Sequence, residues 1–305
     1  MPLSYATFIK KNTSKLKPIP VIWENENYAK IIPSKASGRE NIKVLLFDLY
    51  GTLFISEAGD IATSFEKRDS NFFYKVFKKC KIKEFESNTD INKFITLFYA
   101  TILNKHREER AKGNETPEVD IRDIWQKALD NFGITKNSYE IEKIAVLYES
   151  IVNKTWPMPG LKDILNFISK KGIPMGIISN AQFYSEYLFE AHLKKSPFEL
   201  GFIKSLCYYS YRKKVAKPGK AMFEEVLSEI KKEKKIISEE ILYVGNDMLN
   251  DIMPAALLGI KTCLFAGDKR SLRLRTECIE VKNIKPNYVI TELCMLKDIL
   301  NRVCL

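Results

Sequence analysis

The stretch Val44-Leu45-Leu46-Phe47-Asp48-Leu49-Tyr50-Gly51-Thr52-Leu53 constrains the fold more than any other part of this 305-residue chain. An apolar run ends in an aspartate, and a glycine-containing turn follows at once. The run is too short for a typical helix and reads as a buried parallel strand. Open α/β sheets bind their ligands outside the carboxyl ends of the strands. An aspartate there stands at the mouth of a crevice, placed to serve as nucleophile or metal ligand. On its own, an aspartate ending a strand is more often a turn residue or a helix cap, so the reading depends on the rest of the chain.

Three further segments share the pattern. Met175-Gly176-Ile177-Ile178-Ser179-Asn180 is an apolar run ending in a small hydroxyl residue. Val215-Ala216-Lys217-Pro218-Gly219 puts a lysine just before a helix-starting proline. Ile241-Leu242-Tyr243-Val244-Gly245-Asn246-Asp247 ends in an acid, and Asp251 follows. Nucleophile, hydroxyl, cation and paired acids occur in that order. With these four motifs in this order and spacing, the chain resembles the haloacid dehalogenase-like (HAD) hydrolase superfamily over roughly residues 42–300.

The resemblance implies a role for each group. Asp48 is the nucleophile, because a carboxylate can form a covalent intermediate and then release it to water. Ser179 donates a hydrogen bond to a transferring oxygen. Lys217 neutralises charge on the nucleophile and the developing oxyanion. Gly51, Thr52 and Asn180 orient the substrate. Mg2+, a hard cation suited to oxygen ligands and phosphate, is expected on Asp48, the main-chain carbonyl of Tyr50 and Asp247, with Asp251 either ligating directly or supporting the ligands from behind. The plain alternatives are a loop pair at Ser179-Asn180, a solvated surface charge at Lys217, and a helix cap at Asn250 or Asp251.

One position departs from the phosphatase pattern. HAD phosphatases carry a second Asp two residues after the nucleophile, where it acts as general acid and base. Tyr50 stands there, and an unperturbed tyrosine, with a pKa of about 10, is a poor base at neutral pH. The 2-haloacid dehalogenases of the superfamily also have Tyr at this position, and a halide leaving group needs no proton. Those enzymes work without a metal and lack the paired acids, and their polar Tyr six residues after the lysine is Phe223 here. The acid pair outweighs Tyr50 in this reading. The chain looks like a separate subfamily with Tyr for the second Asp. The expected activity is a Mg2+-dependent phosphatase on a small phosphorylated metabolite, with Glu118 a candidate for the missing acid. The alternatives are a metal-independent C–X hydrolase and a catalytically weak HAD fold that binds a ligand or partner.

Composition narrows the class. Hydrophobic content of 45% with 29% charged residues fits an ordinary globule. No apolar run approaches the ~18 residues of a membrane helix, and no signal peptide is visible at the start. Six cysteines without paired metal spacing suit reduced thiols and a cytoplasmic location. The net charge of +11 is spread over many short lysine groups with no nucleic-acid motif, so an anionic small molecule is the expected partner. Oligomeric state stays open.

The expected fold is α/β: a doubly wound parallel sheet, Rossmannoid and HAD-like, with an inserted helical cap. Residues 1–41 read as an extended arm over the core, anchored through Trp23 and Tyr28. Residues 42–56 and 157–305 form the core, and residues 57–156, with helical spacing, form the cap. Within the cap, Pro117 and Asp120 read as a helix entrance. Arg122 is either part of that entrance or a reach towards an anionic substrate. His106 reads as a surface residue, and the aromatics at 72–77 read as cap core.

Overall fold

The computed structural model describes residues 4–22, 41–58, 70–83, 85, 88–233 and 236–301. At its centre is a six-stranded sheet in the order β5-β4-β1-β6-β7-β8. The strands are β1 (Val44–Phe47), β4 (Met175–Ser179), β5 (Phe202–Tyr209), β6 (Ile241–Gly245), β7 (Lys261–Phe265) and β8 (Tyr288–Ile290), with β2 and β3 set apart in a separate pair. Every neighbouring pair in the large sheet is parallel. Helices cover both faces, so β1, β4 and β6 are buried along their whole length and read as unbroken apolar runs.

β1 lies between β4 and β6. Phe47 is level with Ile177 on one side and Val244 on the other. The residues just past these three strands therefore emerge side by side. From β1 the chain goes to β4 and β5 on one side, then crosses to β6 on the other. That reversal is the switch point at which doubly wound sheets form a crevice.

A second, two-stranded sheet pairs β2 (Phe54–Ser56) with β3 (Thr155–Pro157), antiparallel. Among the described residues, four helices lie between these strands: Ser70–Cys80, Asn88–Ala111, Ile121–Asp130 and Ser138–Val152. Asp120 caps the third by accepting from Arg122 N, and Asn137 with Glu140 forms a capping box on the fourth. Their shared core is aromatic. Trp125 is fully buried, with Phe98 and Tyr148 at ring-centroid distances of 4.7 and 5.4 Å. Each such pair adds about 0.5–1.5 kcal/mol beyond the area it buries. Phe73 and Phe77 lie in the same cluster, as core residues.

The N-terminal segment differs from the extended arm expected for it. Residues Tyr5–Asn12 form a helix that buries Ala6, Phe8 and Ile9. It packs against Ser138–Val152 of the helical block and Tyr187–Leu193 beside the sheet. Ala6 and Ile9 sit three residues apart and share one helical face. The prolines further along the arm masked this short signal. Beyond the helix the chain runs extended, and Ile19 is held by Asp268 and Lys269. Trp23 and Tyr28 lie outside the described residues.

Among the described residues no helix is long and apolar enough to cross a membrane. The five described cysteines carry free thiols.

Candidate active site

Asp48 follows β1, and its amide extends the strand ladder to Val244 O at 2.9 Å. Its side chain is buried at the carboxyl edge of the sheet. Lys217 arrives from the loop after β5 and is also buried. Its Nζ donates to Asp48 Oδ1 at 2.7 Å and to Asp251 Oδ1 at 2.6 Å. Ile178 O and the Tyr243 hydroxyl complete the shell at 3.1 and 3.0 Å. Burial acts to lower the lysine pKa, but Asp251 and Asp48 together raise it above its ordinary value. The ammonium stays charged at any physiological pH.

Asn180 holds this lysine by its main chain. Asn180 Nδ2 donates to Lys217 O at 3.0 Å, and Lys217 N donates to Asn180 Oδ1 at 2.7 Å. The side-chain amide expected to orient substrate is thus engaged in positioning the cation. The helix expected from Pro218 starts at Ala221, after a turn through Gly219.

Asp251 is a strut between β6 and Lys217. Its Oδ2 accepts from Asn246 N and Asp247 N, both at 2.9 Å. Its Oδ1 takes Lys217 and the Tyr243 hydroxyl. Burial pushes its pKa up against the pull of Lys217, with Asp48 and Asp247 adding to the rise. A Cβ on Gly245 would stand 2.5 Å from the Asp251 carboxyl, so only glycine lets this contact form. Gly51 has φ +79°, and a Cβ there would meet Ser271 Cβ at 2.4 Å. Beside it, Thr52 Oγ1 donates to Asn246 Oδ1 at 3.0 Å. Gly51 and Thr52 therefore tie the turn after β1 to the turn after β6.

Tyr50 faces away from proton-transfer work. Its hydroxyl shares a 2.8 Å hydrogen bond with Ser185 Oγ. Burial, then Glu149, raise its pKa, with Asp48 adding to the rise, so it keeps its proton.

These groups open on a cavity of about 440 Å3. Its sheet side carries Asp48, Ser179, Lys217, Asp247 and Asp251. Its far side is largely apolar, with Phe98, Ile102, Trp125, Ala145 and Tyr148 from the helical block. Ser179 Oγ is buried and has no hydrogen-bond partner among the described residues, and the same holds for Ser271 Oγ, which also lines the cavity. A buried hydroxyl without a partner costs about 1–3 kcal/mol, which a ligand that accepts its proton would recover.

Glu118 also lines the cavity. It belongs to a loop docked on the Lys217 segment, where Glu118 N donates to Lys214 O and Ala216 N to Thr116 O. Its carboxylate accepts from Val119 N at 2.8 Å and Ser210 Oγ at 2.9 Å. Burial raises its pKa against those bonds.

Arg122 stands outside the cavity lining. Its guanidinium is held by Asp120 at 2.6–2.9 Å and Glu142 at 3.0 Å, over the rings of Phe183 and Tyr211. Of the two readings of Arg122, its ion pairs at the helix entrance are the one its contacts match. His106, read as a surface residue, turns inward instead. It lines the cavity, and its Nε2 is buried with no partner among the described residues. Tyr243 and Ser271 went unnoticed in the sequence because nothing local marks them.

The acids expected to hold Mg2+ are already occupied. Asp247 Oδ1 accepts from Leu249 N, Asn250 N and Arg275 Nε, and Oδ2 accepts from Asn250 Nδ2 and Arg275 Nη2. Both oxygens of Asp251 are likewise bonded. Of these three carboxylates, only Asp48 has an oxygen, Oδ2, without a hydrogen bond among the described residues. No cluster of three or more His, Cys, Asp or Glu side chains among them is arranged to hold a metal ion. A divalent ion such as Mg2+ keeps several waters and needs only one or two carboxylates. Here, though, Asp247, the fourth-motif ligand expected for it, has both oxygens engaged, two of those bonds coming from a guanidinium, and so does not fit that role as placed.

A family model described as haloacid dehalogenase-like hydrolase matches residues 42–259. The chain belongs to the haloacid dehalogenase-like hydrolases. Solved HAD structures share the fold. The 2-haloacid dehalogenase from Pseudomonas syringae pv. Tomato DC3000 is 16% identical with TM-score 0.54, covering 86% of this chain and 99% of that one. The HAD phosphatase from Thermococcus onnurineus is 18% identical with TM-score 0.51, covering 87% and 100%. No curated protein matches the chain. These likenesses support the HAD fold, and the two relatives carry different chemistries, so the substrate must be argued from the site.

Proposed function

We propose that this HAD hydrolase cleaves a small phosphate monoester with Asp48 as nucleophile and Glu118 as proton donor. One observation carries the reading: Asp48, Lys217, the unpartnered Ser179 hydroxyl and Glu118, whose pKa burial raises, line one cavity. Asp48 Oδ2 attacks phosphorus as the ester P–O bond breaks, and the bond's electron pair leaves on the ester oxygen. That oxygen takes the proton of Glu118. Water then attacks phosphorus, the P–O bond to Asp48 breaks, and the water proton returns to Glu118. Lys217 and Ser179 meet the charge that develops on the phosphoryl oxygens. The apolar far wall receives the organic part of the substrate, and the helical block acts as its cap.

A second reading, C–X bond hydrolysis, draws on Tyr50 and on the saturated Asp247, because a halide leaves without a proton or a metal. The two separate on one experiment. Phosphate and halide release are followed over panels of phosphorylated metabolites and 2-haloacids, for the wild type, Asp48→Asn and Glu118→Gln. Phosphate release lost in Asp48→Asn supports the first reading. Halide release without phosphate release overturns it in favour of the second.

A further inference from the structure

The cation at the fourth-motif acid comes from the protein itself. Arg275 grips Asp247 with two nearly parallel bonds, Nη2 to Oδ2 at 2.7 Å and Nε to Oδ1 at 3.2 Å. This is the fork geometry in which arginine matches a carboxylate best. Asp247 is buried and Arg275 mostly so, so the pair is little screened by solvent.

The pair is built in by the backbone. Arg273 N donates to Asn246 O at 3.0 Å, and Met248 N donates to Arg273 O at 2.8 Å, so the segment before Arg275 runs alongside the turn after β6. Arg275 adopts φ +53°, and its carbonyl accepts from Cys278 N. Upstream, Asp268 anchors the same loop to Ile19 of the N-terminal arm. The guanidinium is delivered to Asp247 by three separate ties rather than by a freely swinging side chain.

The charge count points the same way. Three carboxylates, Asp48, Asp247 and Asp251, meet two cations, Lys217 and Arg275. Each of these three acids already has a cationic partner. A divalent ion ligated by Asp247 would have to compete with the guanidinium for at least one of its oxygens and break a charge-assisted bond as it did so.

We propose that Arg275 takes the place of a divalent cation at Asp247 and excludes such an ion from the site. Its consequence for turnover, activity without added metal, rests on the Asp48 reading above. The exclusion itself does not, because binding is read without any substrate.

The test uses Mn2+ as probe. The free-ion electron paramagnetic resonance signal is titrated against the full chain as wild type, Arg275→Ala, Arg275→Gln and Arg275→Gln/Asp247→Asn. Circular dichroism checks that each folds. The wild type is expected to leave the signal unchanged at millimolar protein. Arg275→Ala and Arg275→Gln are expected to bind one Mn2+ per chain at least about tenfold more tightly, with the gain lost in the double variant. Tight one-to-one binding by the wild type overturns the proposal. So does a folded Arg275→Gln that binds no better than the wild type. Arg275→Gln keeps the side-chain stem and a hydrogen-bonding end while removing the charge, and so keeps the test open if the alanine variant fails to fold. A chain that excludes Mn2+ yet turns over no phosphate ester would defeat the phosphatase reading and leave this one standing.

Discussion

Asp48 and Lys217 form a buried ion pair of 2.7 Å, although 169 residues separate them. The same ammonium bonds Asp251, so one cation serves both acids. Removing one partner from a buried pair leaves the other charge uncompensated. Lys217→Met is expected to lose about 3–5 kcal/mol of stability by urea unfolding, and activity by about 100-fold or more. Asp48→Asn should keep the fold and lose the covalent intermediate. Intact-protein mass spectrometry after rapid acid quench checks this, since only wild type should show an adduct.

Glu118 has its pKa raised by burial, helped by Asp120 and opposed by Val119 N, Ser210 and Lys214. It therefore keeps its proton to higher pH than an exposed glutamate. As proton donor it should lose activity as pH rises through that raised pKa. In Glu118→Gln this alkaline limb should vanish, with kcat lowered by about 100-fold. The loss should be much smaller for p-nitrophenyl phosphate, whose leaving group needs little protonation. Equal losses for good and poor leaving groups would sink the role.

His192 bears on stability through pH. Burial, with Lys10 adding, lowers its pKa to about 4, and its Nε2 lies 2.9 Å from Thr155 Oγ1 under the β2–β3 pair. In the unfolded chain it takes its proton near about 6.5. Between those values the unfolded state binds more protons, so stability falls as pH drops from about 6.5 to about 4. The shift corresponds to up to about 3 kcal/mol. His192→Gln should flatten that window, which urea midpoints at the two ends would show.

Gly245 is needed for the close approach of Asp251. Gly245→Ala is expected to push the Asp251 carboxyl off Lys217 and to lower both stability and kcat. A variant as active and as stable as wild type would show that the Asp251 strut is dispensable.

Much of the fold was legible in the sequence. Apolar runs ending at Asp48, Ser179 and Asp247 are buried strands, because strands covered on both faces must be apolar throughout. The order of those runs was enough for the parallel α/β sheet and for the set of residues at its edge. The helix at Tyr5–Asn12 was hidden, because its burial comes from packing against Ser138–Val152 and Tyr187–Leu193 rather than from its own propensity. The partners of each charge were hidden too. Nothing local tells that Arg122 pairs with Asp120 and Glu142, or that Arg275 reaches back 28 residues to Asp247. The sequence by itself determined which side chains stand at the carboxyl edge, since strand period and burial are local properties of the chain. Only the tertiary structure decided which acids remain open, since hydrogen bonds and ion pairs depend on distances between segments that no local pattern encodes.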